Sequence, residues 1–453
     1  MSLSPGLLLR DFRLVDETMD MPGSVWIEQG IIRDVFPQGA LLPETRLPMH
    51  QTIQGGGTLV LMPALVDLHA HFRDPGYPEK ETLESGSLAA VAGGYGTVVC
   101  MANTKPVIDT LAKARTLKKR ADTLGLMDLY PVLALTQGME GKVLSEIRCL
   151  KGPLHESEPW IPMLSEDGKD VVSDDLLYQA MQEARRLGVP LSCHCDAGGP
   201  EAEEAKAAGK PREFWSRIEE NHATQRVLEL AWQAQGHVHI AHVSTKESVD
   251  LIRKAKGRRQ EKPGPLGFTL TAEATPHHLC LTHGTAHALG DTTWGRVNPP
   301  LRTEADRQAL IQAVRDGTID AIATDHAPHT ERDKLQGAPG FTGLETSFAL
   351  CQMELVQQDR LSLSRLSSLM SASPARILGF TDRGRIAPTF RGDLMVVDTE
   401  AVWQVNPSLF RSRGKNSPVP GLPCRGRVLM TIYQGRVVFE SFLSPDSSSG
   451  KGK

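Results

Sequence analysis

The sequence contains no apolar run of the ~18 residues that a membrane-spanning helix needs, which argues against an integral membrane protein. It also lacks an excess of either charge, because 50 Lys and Arg stand against 54 Asp and Glu, for a net charge of −4. A protein that binds the phosphate backbone of nucleic acids would carry a strong basic excess, so this class is not expected. The content of 40% apolar and 23% charged residues is typical of a globular chain.

Cysteine is scarce and follows no pattern. The seven cysteines are an odd number scattered over 453 residues, which favours reduced thiols over a disulfide framework. The first residues are MSLSPGLLLRDF. Their apolar stretch is too short for a secretory signal, and charged residues follow it too soon. These features predict a cytoplasmic protein.

Both ends of the chain have the pattern of short strands and tight turns. Residues 24–32 predict a hairpin with a glycine in its turn, 392–398 predict a strand, and 428–438 predict two strands about Gln434-Gly435. We therefore expect one small β-rich domain that is assembled from both termini. The polar tail SPDSSSGKGK has no apolar content and predicts disorder.

The middle of the chain alternates short apolar runs with stretches of helical spacing, among them 176–187, 225–234 and 304–315. Eight β–α units over about 310 residues predict an α/β fold, a (β/α)8 TIM-type barrel. The eight apolar runs are 64–68, 97–101, 129–133, 160–164, 191–193, 238–241, 268–272 and 321–324. The predicted domains are the β-rich unit (1–62 and 385–443), the barrel (63–384) and the tail (444–453).

Side chains that bind metals follow the ends of several of these runs. His69 and His71 are two residues apart on a predicted strand, so both imidazoles face the same side. In a barrel the carboxyl ends of all strands open onto one face, where active sites lie. The other candidates at that face are Asp167, His194, His242 and Asp325.

Imidazole nitrogens and carboxylate oxygens are the ligands that zinc accepts in hydrolytic sites, so the cluster suits one or two divalent ions. A metal-bound water loses a proton near neutral pH, and Asp325 would accept it as general base. Each residue also has a simpler interpretation: His194 could be a core histidine, and Asp325 could cap a helix. Their joint placement at the ends of different strands favours the metal site.

Seven segments of the sequence resemble the motifs of one known family, and they follow one another in the same order as in that family. Together they closely resemble the motifs of type I-like dihydroorotases in the amidohydrolase superfamily. The segments are MPALVDLHAHFRDPG (62–76), CMANTKP (100–106), HVST (242–245), EATPHHL (273–279), NPPLR (298–302), TDHAPH (324–329) and GLET (343–346).

The resemblance implies two Zn²⁺ ions bridged by a carboxylate and a hydroxide. Many relatives use a carboxylated lysine as the bridge, but the fourth predicted strand has no lysine. Type I members use the second acid of a Thr/Ser-Asp-Asp-Gly motif, which is Asp167 in Ser165-Glu166-Asp167-Gly168. Lys169 is a less favoured bridge. The implied ligands are His69, His71 and Asp325 for one ion and His194 and His242 for the other.

The resemblance also implies a set of substrate contacts. Arg73 and Asn103 would bind the substrate carboxylate, and a guanidinium matches a carboxylate with two hydrogen bonds. The other implied substrate-binding residues are His71, Asn298, His329, Pro339 and Gly340.

Local sequence leaves alternatives open for this set. Arg73 could instead form a surface ion pair with Asp74 or Glu79, and Asn103 could shape a turn. The segment 197–212, rich in Ala, Glu and Gly, is either a solvated helix, which we favour, or part of a mobile cover over the site.

The function implied is interconversion of N-carbamoyl-L-aspartate and L-dihydroorotate in pyrimidine synthesis. One alternative is an allantoinase- or hydantoinase-like cyclic amidase, whose members lack an arginine at the position of Arg73. Another is a non-catalytic barrel that serves as a scaffold, whose members lose metal ligands. Related enzymes often work as homodimers or with aspartate transcarbamoylase, so the resemblance implies a homodimer or such a complex as alternatives, besides the small-molecule substrate.

Overall fold

The computed structural model describes residues 6–40, 50–156, 160–261 and 268–441, and its first strands lie outside the barrel. A two-residue turn joins the second and third strands. Both turn residues, Gln29 and Gly30, have a positive φ (53° and 77°), which suits a tight hairpin between right-twisted strands. The hairpin predicted at 24–32 is confirmed. The strands are β1 (Gly6–Val15), β2 (Asp20–Glu28), β3 (Ile31–Pro37), β4 (His50–Gln54) and β5 (Val60–Pro63).

Eight parallel strands then form a barrel. Strands pair in sequence order within two arcs, and parallel bridges join Leu133 to Leu164 and Ala70 to His326, so the ring closes. The predicted (β/α)8 barrel is confirmed, since each predicted run overlaps one strand. The strands are β6 (Leu65–Ala70), β7 (Tyr95–Cys100), β8 (Asp128–Pro131), β9 (Leu164–Ser165), β10 (Leu191–Cys193), β11 (His237–Ile240), β12 (Thr269–Ala274) and β13 (Ala321–Ile322).

Strand β9 is the largest departure from the predicted strands. The run 160–164 was expected to be a strand, but the observed strand begins only at Leu164. Pro162 has no N–H to donate to a ladder, which explains why the preceding residues do not pair regularly.

Helices surround the barrel, and none in the described part of the chain is long and apolar enough to cross a membrane. Helix α5 is far longer than the predicted 225–234. The prediction was too short because small and polar residues such as Ser216 and Ala223 form the buried face of the helix and give no apolar period. The helices are α1 (Leu83–Ala92), α2 (Leu111–Leu124), α3 (Asp174–Leu187), α4 (Pro200–Ala207), α5 (Arg212–Ala234), α6 (Lys246–Glu261), α7 (Pro276–Cys280), α8 (His283–Leu289), α9 (Glu304–Asp316), α10 (Glu331–Leu335), α11 (Ser347–Cys351), α12 (Leu363–Ser367) and α13 (Ser373–Ile377).

The last strands, β14 (Leu394–Gln404), β15 (Pro423–Tyr433) and β16 (Arg436–Glu440), return to the sheet that the first strands began. Its order is β16-β15-β14-β5-β1-β2-β3, with β4 paired to β1, so both ends of the chain share one sheet. The fold class predicted from the sequence is therefore confirmed. The domain boundaries stay a prediction, and the tail 444–453 lies outside the described residues.

A buried ionic cluster joins this sheet to the amino-terminal end of the barrel. Asp128, the first residue of β8, accepts hydrogen bonds from Arg383 (2.9 Å) and from the Tyr433 hydroxyl (2.7 Å). Arg391 lies 2.8 Å from the same carboxylate. Burial alone would raise the pKa of Asp128, but the two guanidinium groups hold it below its usual value.

We expect Asp128→Ala to destabilise the fold by about 3 kcal/mol, because it removes the buried carboxylate that Arg383 and Arg391 share and leaves each arginine only its second partner, Asp382 or Asp393. Urea unfolding measures this change. The matched control is Glu400→Ala, which breaks an exposed pair with Arg425 (2.6 Å) and should change stability little. An Asp128→Ala protein as stable as the control would show that the cluster does not hold the two units together.

Candidate metal centre and active site

The predicted ligands lie at the carboxyl ends of five barrel strands, and all are buried. His242 and Asp325 have positive φ values of 31° and 46°, a left-handed conformation that non-glycine residues rarely adopt. Such backbone strain is typical of functional positions, where the surrounding structure holds it in place.

Asp167 is the centre of the cluster. Its carboxylate lies close to all four predicted imidazole ligands, as the implied bridging role requires. The contacts from its oxygens are to His69 Nε2 (3.2 Å), His71 Nε2 (3.3 Å), His194 Nδ1 (3.3 Å) and His242 Nε2 (3.6 Å).

Asp325 completes the cluster from the last strand. Its Oδ1 lies 3.1 Å from His71 Nε2 and 3.6 Å from His69 Nε2. Two groups of donor atoms are close enough to hold an ion: His69, His71 and Asp325 form one, and His69, Asp167 and His242 form the other. His194 adjoins the second group, with Nδ1 2.6 Å from His242 Nε2.

Two of these donor atoms are buried without a hydrogen-bond partner among the described residues: His69 Nε2 and Asp167 Oδ1. Buried polar atoms are nearly always hydrogen-bonded, so two orphaned atoms that face each other fit the binding of a cation. The donor set of imidazole nitrogen and carboxylate oxygen fits zinc or manganese. The residues present therefore fit a divalent metal.

Glu273 on β12 orients two of the ligands. Its carboxylate accepts hydrogen bonds from His69 Nδ1 (2.8 Å) and from the backbone N–H of His242 (3.3 Å). The bond to Nδ1 leaves Nε2 of His69 free to bind a metal. The second oxygen accepts from His239 (3.1 Å). Glu273 was not among the predicted site residues, although an ionisable residue next to an apolar run was a signal.

Two further aspartates support the cluster and were also missed. Asp196 accepts a hydrogen bond from His194 Nε2 (2.8 Å), which directs Nδ1 toward Asp167. Asp67 accepts from the backbone N–H (2.9 Å) and hydroxyl (2.5 Å) of Thr324, the residue before Asp325. Burial raises the pKa of Asp67 to about 7.

The imidazoles of the cluster control the charge of Asp325. Burial alone would raise the pKa of this carboxyl group, but His71, which is hydrogen-bonded to it, and His69 hold the pKa well below its usual value. Asp325 is therefore a carboxylate at neutral pH, the form that can accept a proton.

Arg73 lies beside the cluster, half-buried and with a positive φ of 56°. Its Nε donates to the Pro328 carbonyl (3.3 Å), and Nη2 lies 3.3 Å from His329 Nε2. Among the described residues it has no carboxylate partner within 4 Å, and Asp74 pairs with Arg120 instead (2.7 Å). The alternative of an ion pair between Arg73 and Asp74 is therefore not formed.

The predicted substrate-binding asparagines flank the cluster and are half-buried. Asn103 accepts a hydrogen bond from His71 Nδ1 (3.0 Å) and donates to the Asp167 carbonyl (3.3 Å). Asn298 donates to Asp196 (3.2 Å) and accepts from Arg212 (3.0 Å). These contacts bring both amides to the mouth of the barrel, and their role toward substrate stays a prediction.

Pro339 and Gly340 lie on the loop after α10. The Pro339 carbonyl accepts a hydrogen bond from His329 Nε2 (2.9 Å), and the Gly340 N–H donates to Arg296 (3.0 Å). Gly340 has a φ of 136°, and a Cβ there would lie 2.6 Å from the Ala327 side chain, so only glycine fits. The backbone groups of this loop thus bond within the protein.

The segment 197–212 forms α4, which packs against α5 through the buried Ala202 and Ala205. Lys206 pairs with Glu219 on α5 (2.6 Å). The favoured interpretation of the segment as a helix agrees with this arrangement. The alternative bridge, Lys169, donates instead to the Met139 carbonyl (2.9 Å).

A closed (β/α)8 barrel with histidines and aspartates gathered at the carboxyl ends of its strands defines the class of metal-dependent barrel hydrolases. Comparison with known families agrees, because the profile of the Amidohydrolase family matches residues 60–438. The chain belongs to the amidohydrolase family.

Individual relatives cover nearly the whole chain. It is 36% identical over 434 residues to the dihydroorotase of Clostridium botulinum, covering 96% of this chain and 99% of the relative. It is 37% identical to the dihydroorotase of Desulforapulum autotrophicum, over 91% and 94% of the two chains. Among solved structures, the L-hydantoinase of Arthrobacter aurescens superimposes with a TM-score of 0.81 at 26% identity, over 96% of each chain.

We expect Glu273→Gln to weaken binding of Zn²⁺ about 10–100-fold, because the amide cannot accept hydrogen bonds from two histidines as the carboxylate does. Competition with a chromogenic chelator measures the affinity. The exposed Glu229→Gln on α5 is the matched control and should leave the affinity unchanged. Equal affinities for the two variants would exclude an orienting role for Glu273.

Proposed function

We propose that the chain catalyses the dihydroorotase reaction, the interconversion of N-carbamoyl-L-aspartate and L-dihydroorotate in pyrimidine synthesis. The observation that carries this proposal is the guanidinium of Arg73, which lies next to the metal-ligand cluster and has no carboxylate partner among the described residues. A fixed cation at this place suits a cyclic amide that bears a carboxylate. Relatives named dihydroorotase, at 36–38% identity over most of the chain, support the same activity.

The proposed cofactor is a pair of zinc ions, which Asp167 would hold together with the four imidazoles and Asp325. The two oxygens of Asp167 support two ions over one, because Oδ2 lies next to His71 and Oδ1 lies next to His69, His194 and His242. When bound, divalent ions polarise a carbonyl oxygen and lower the pKa of water enough for it to attack at neutral pH.

Asp325 is the proposed general base. In the hydrolytic direction it takes a proton from the attacking water and passes it to the ring nitrogen as the amide C–N bond breaks. Its depressed pKa keeps it ionised before the reaction, and its place next to His69 and His71 brings it to the reacting centre. Ring closure runs the same transfers in reverse.

Residues beside the cluster are proposed to orient the substrate. Arg73, with Asn103 and His329 nearby, would hold the carboxylate, while Asn298 and the loop at Pro339 and Gly340 would face the ring. Charge-assisted hydrogen bonds from a guanidinium fix both the position and the orientation of a carboxylate. This set would select dihydroorotate over neutral cyclic amides.

The cytoplasm is the proposed location. All seven cysteines are unpaired in the described structure, which supports a reducing compartment. A homodimer, or a complex with aspartate transcarbamoylase, stays a prediction.

We expect Asp325→Ala to lower turnover of dihydroorotate by at least about 100-fold at saturating Zn²⁺, because the general base is removed. Steady-state assays measure turnover, and elemental analysis reports the metal that each sample retains. The exposed Asp122→Asn is the control and should keep normal turnover. Near-normal turnover in Asp325→Ala would reject Asp325 as the base.

We expect Arg73→Met to raise KM for dihydroorotate about 10–100-fold, the loss expected for hydrogen bonds to a charged group. The assay is repeated with dihydrouracil and hydantoin, neutral rings that lack the carboxylate. A wild-type protein that prefers these rings would favour the hydantoinase-like alternative, which the likeness to L-hydantoinase keeps open. No turnover of any ring with metal bound would favour the non-catalytic scaffold.

A further inference from the structure

Lys334 on α10 is fully buried, although its side chain ends in an ammonium group. Its Nζ donates to three backbone carbonyls: Arg296 (2.8 Å), Ala338 (3.0 Å) and Gly340 (2.9 Å). An ammonium has three N–H donors, so every donor is used. The ring of Phe341 lies 5.3 Å from Nζ, and no carboxylate of the described residues lies within 4 Å.

A buried cation without a counter-ion is costly, so its place needs an explanation. Burial, together with the nearby Arg296 and Arg212, lowers the pKa of Lys334 to about 7. The three carbonyl oxygens are the groups that compensate the charged form. A methionine or leucine would fill the same space without this cost, which argues against simple packing as the role of the residue.

The three carbonyls belong to two loops at the mouth of the barrel. Arg296 is two residues before Asn298, on the segment between α8 and α9, whereas Ala338 and Gly340 flank Pro339, whose carbonyl accepts a hydrogen bond from His329. One ammonium therefore ties together the backbones that carry Asn298 and His329. The hydrogen bond from Gly340 N–H to Arg296 (3.0 Å) closes the same junction.

Positive charge also accumulates on this side of the site. Burial and the cations Arg73, Lys80 and Lys334 lower the pKa of His329 to about 3, so its imidazole is neutral. In its charged form Lys334 thus belongs to the same group of cations as Arg73. A negatively charged substrate is the complement of such a field.

We propose that Lys334 is a positioning residue for substrate: by holding the two loops together, its ammonium fixes Asn298 and His329 relative to Arg73 and adds positive charge on the carboxylate side. This inference rests on the proposed dihydroorotase activity. It gives Lys334 a part in substrate binding and none in the proton transfers, so its removal acts on KM more than on kcat.

The test compares Lys334→Met with wild type in assays of dihydroorotate. We expect KM to rise about tenfold or more, as misplacement of binding groups by ~1 Å commonly does, with kcat within about threefold. The zinc content per chain should be unchanged, because no metal ligand is altered. Lys334→Gln, which keeps two N–H donors, should give an intermediate KM, and it also serves if the methionine variant does not fold.

Lys256→Met is the matched control. Lys256 binds the Gly317 carbonyl (3.2 Å) and Asp320 (2.7 Å) at the amino-terminal end of β13, away from the site. This variant should lose stability without a change in KM. An unchanged KM in folded Lys334→Met or Lys334→Gln, while wild type turns over dihydroorotate, would overturn the inference and leave the proposed function standing. Wild type that fails to turn over dihydroorotate would overturn both.

Discussion

The structure depends on one costly arrangement: the carboxylate of Asp167 and four imidazoles are buried together at the mouth of the barrel. Buried polar atoms without partners oppose folding unless something compensates them. Protein groups compensate the outer atoms, because Glu273 holds His69 and Asp196 holds His194. The inner atoms, His69 Nε2 and Asp167 Oδ1, remain for a cation. The same arrangement explains why Asp325 is ionised and suited to accept a proton.

The two ends of the barrel differ in function: one end carries contacts that stabilise the fold, and the other carries the candidate site. At the amino-terminal end, Asp128 and the arginines around it join the barrel to the sheet built from both termini. At the carboxyl-terminal end, strand ends and loops hold ligands, Arg73 and the buried Lys334. Two of the candidate ligands, His242 and Asp325, have a strained backbone, and the ionic cluster at the other end uses none of the candidate ligands, so stability and chemistry draw on separate sets of contacts.

The barrel and the convergence of the candidate ligands could be predicted from the sequence because both depend on local pattern, while their binding of metal stays a prediction. Alternating apolar runs indicated the strands, and the convergence of parallel strand ends brought His69, His194 and Asp325 together. Helix α5 was underestimated because its buried face contains Ser216 and Ala223, which give no apolar period. The supporting roles of Glu273 and Lys334 depend on partners far along the chain, which only the folded structure identifies.

The bond between Asp67 and Thr324 joins residues 257 positions apart and links the first barrel strand to the segment after the last one. A ribosome therefore releases two histidines long before it makes the aspartate that completes their site. Until that moment, the edges of the unfinished ring have no partner strand, and such edges invite aggregation. The proposed metal site therefore gains its last ligand only after most of the chain has been made, and a nascent chain that ends before Asp325 lacks the proposed general base.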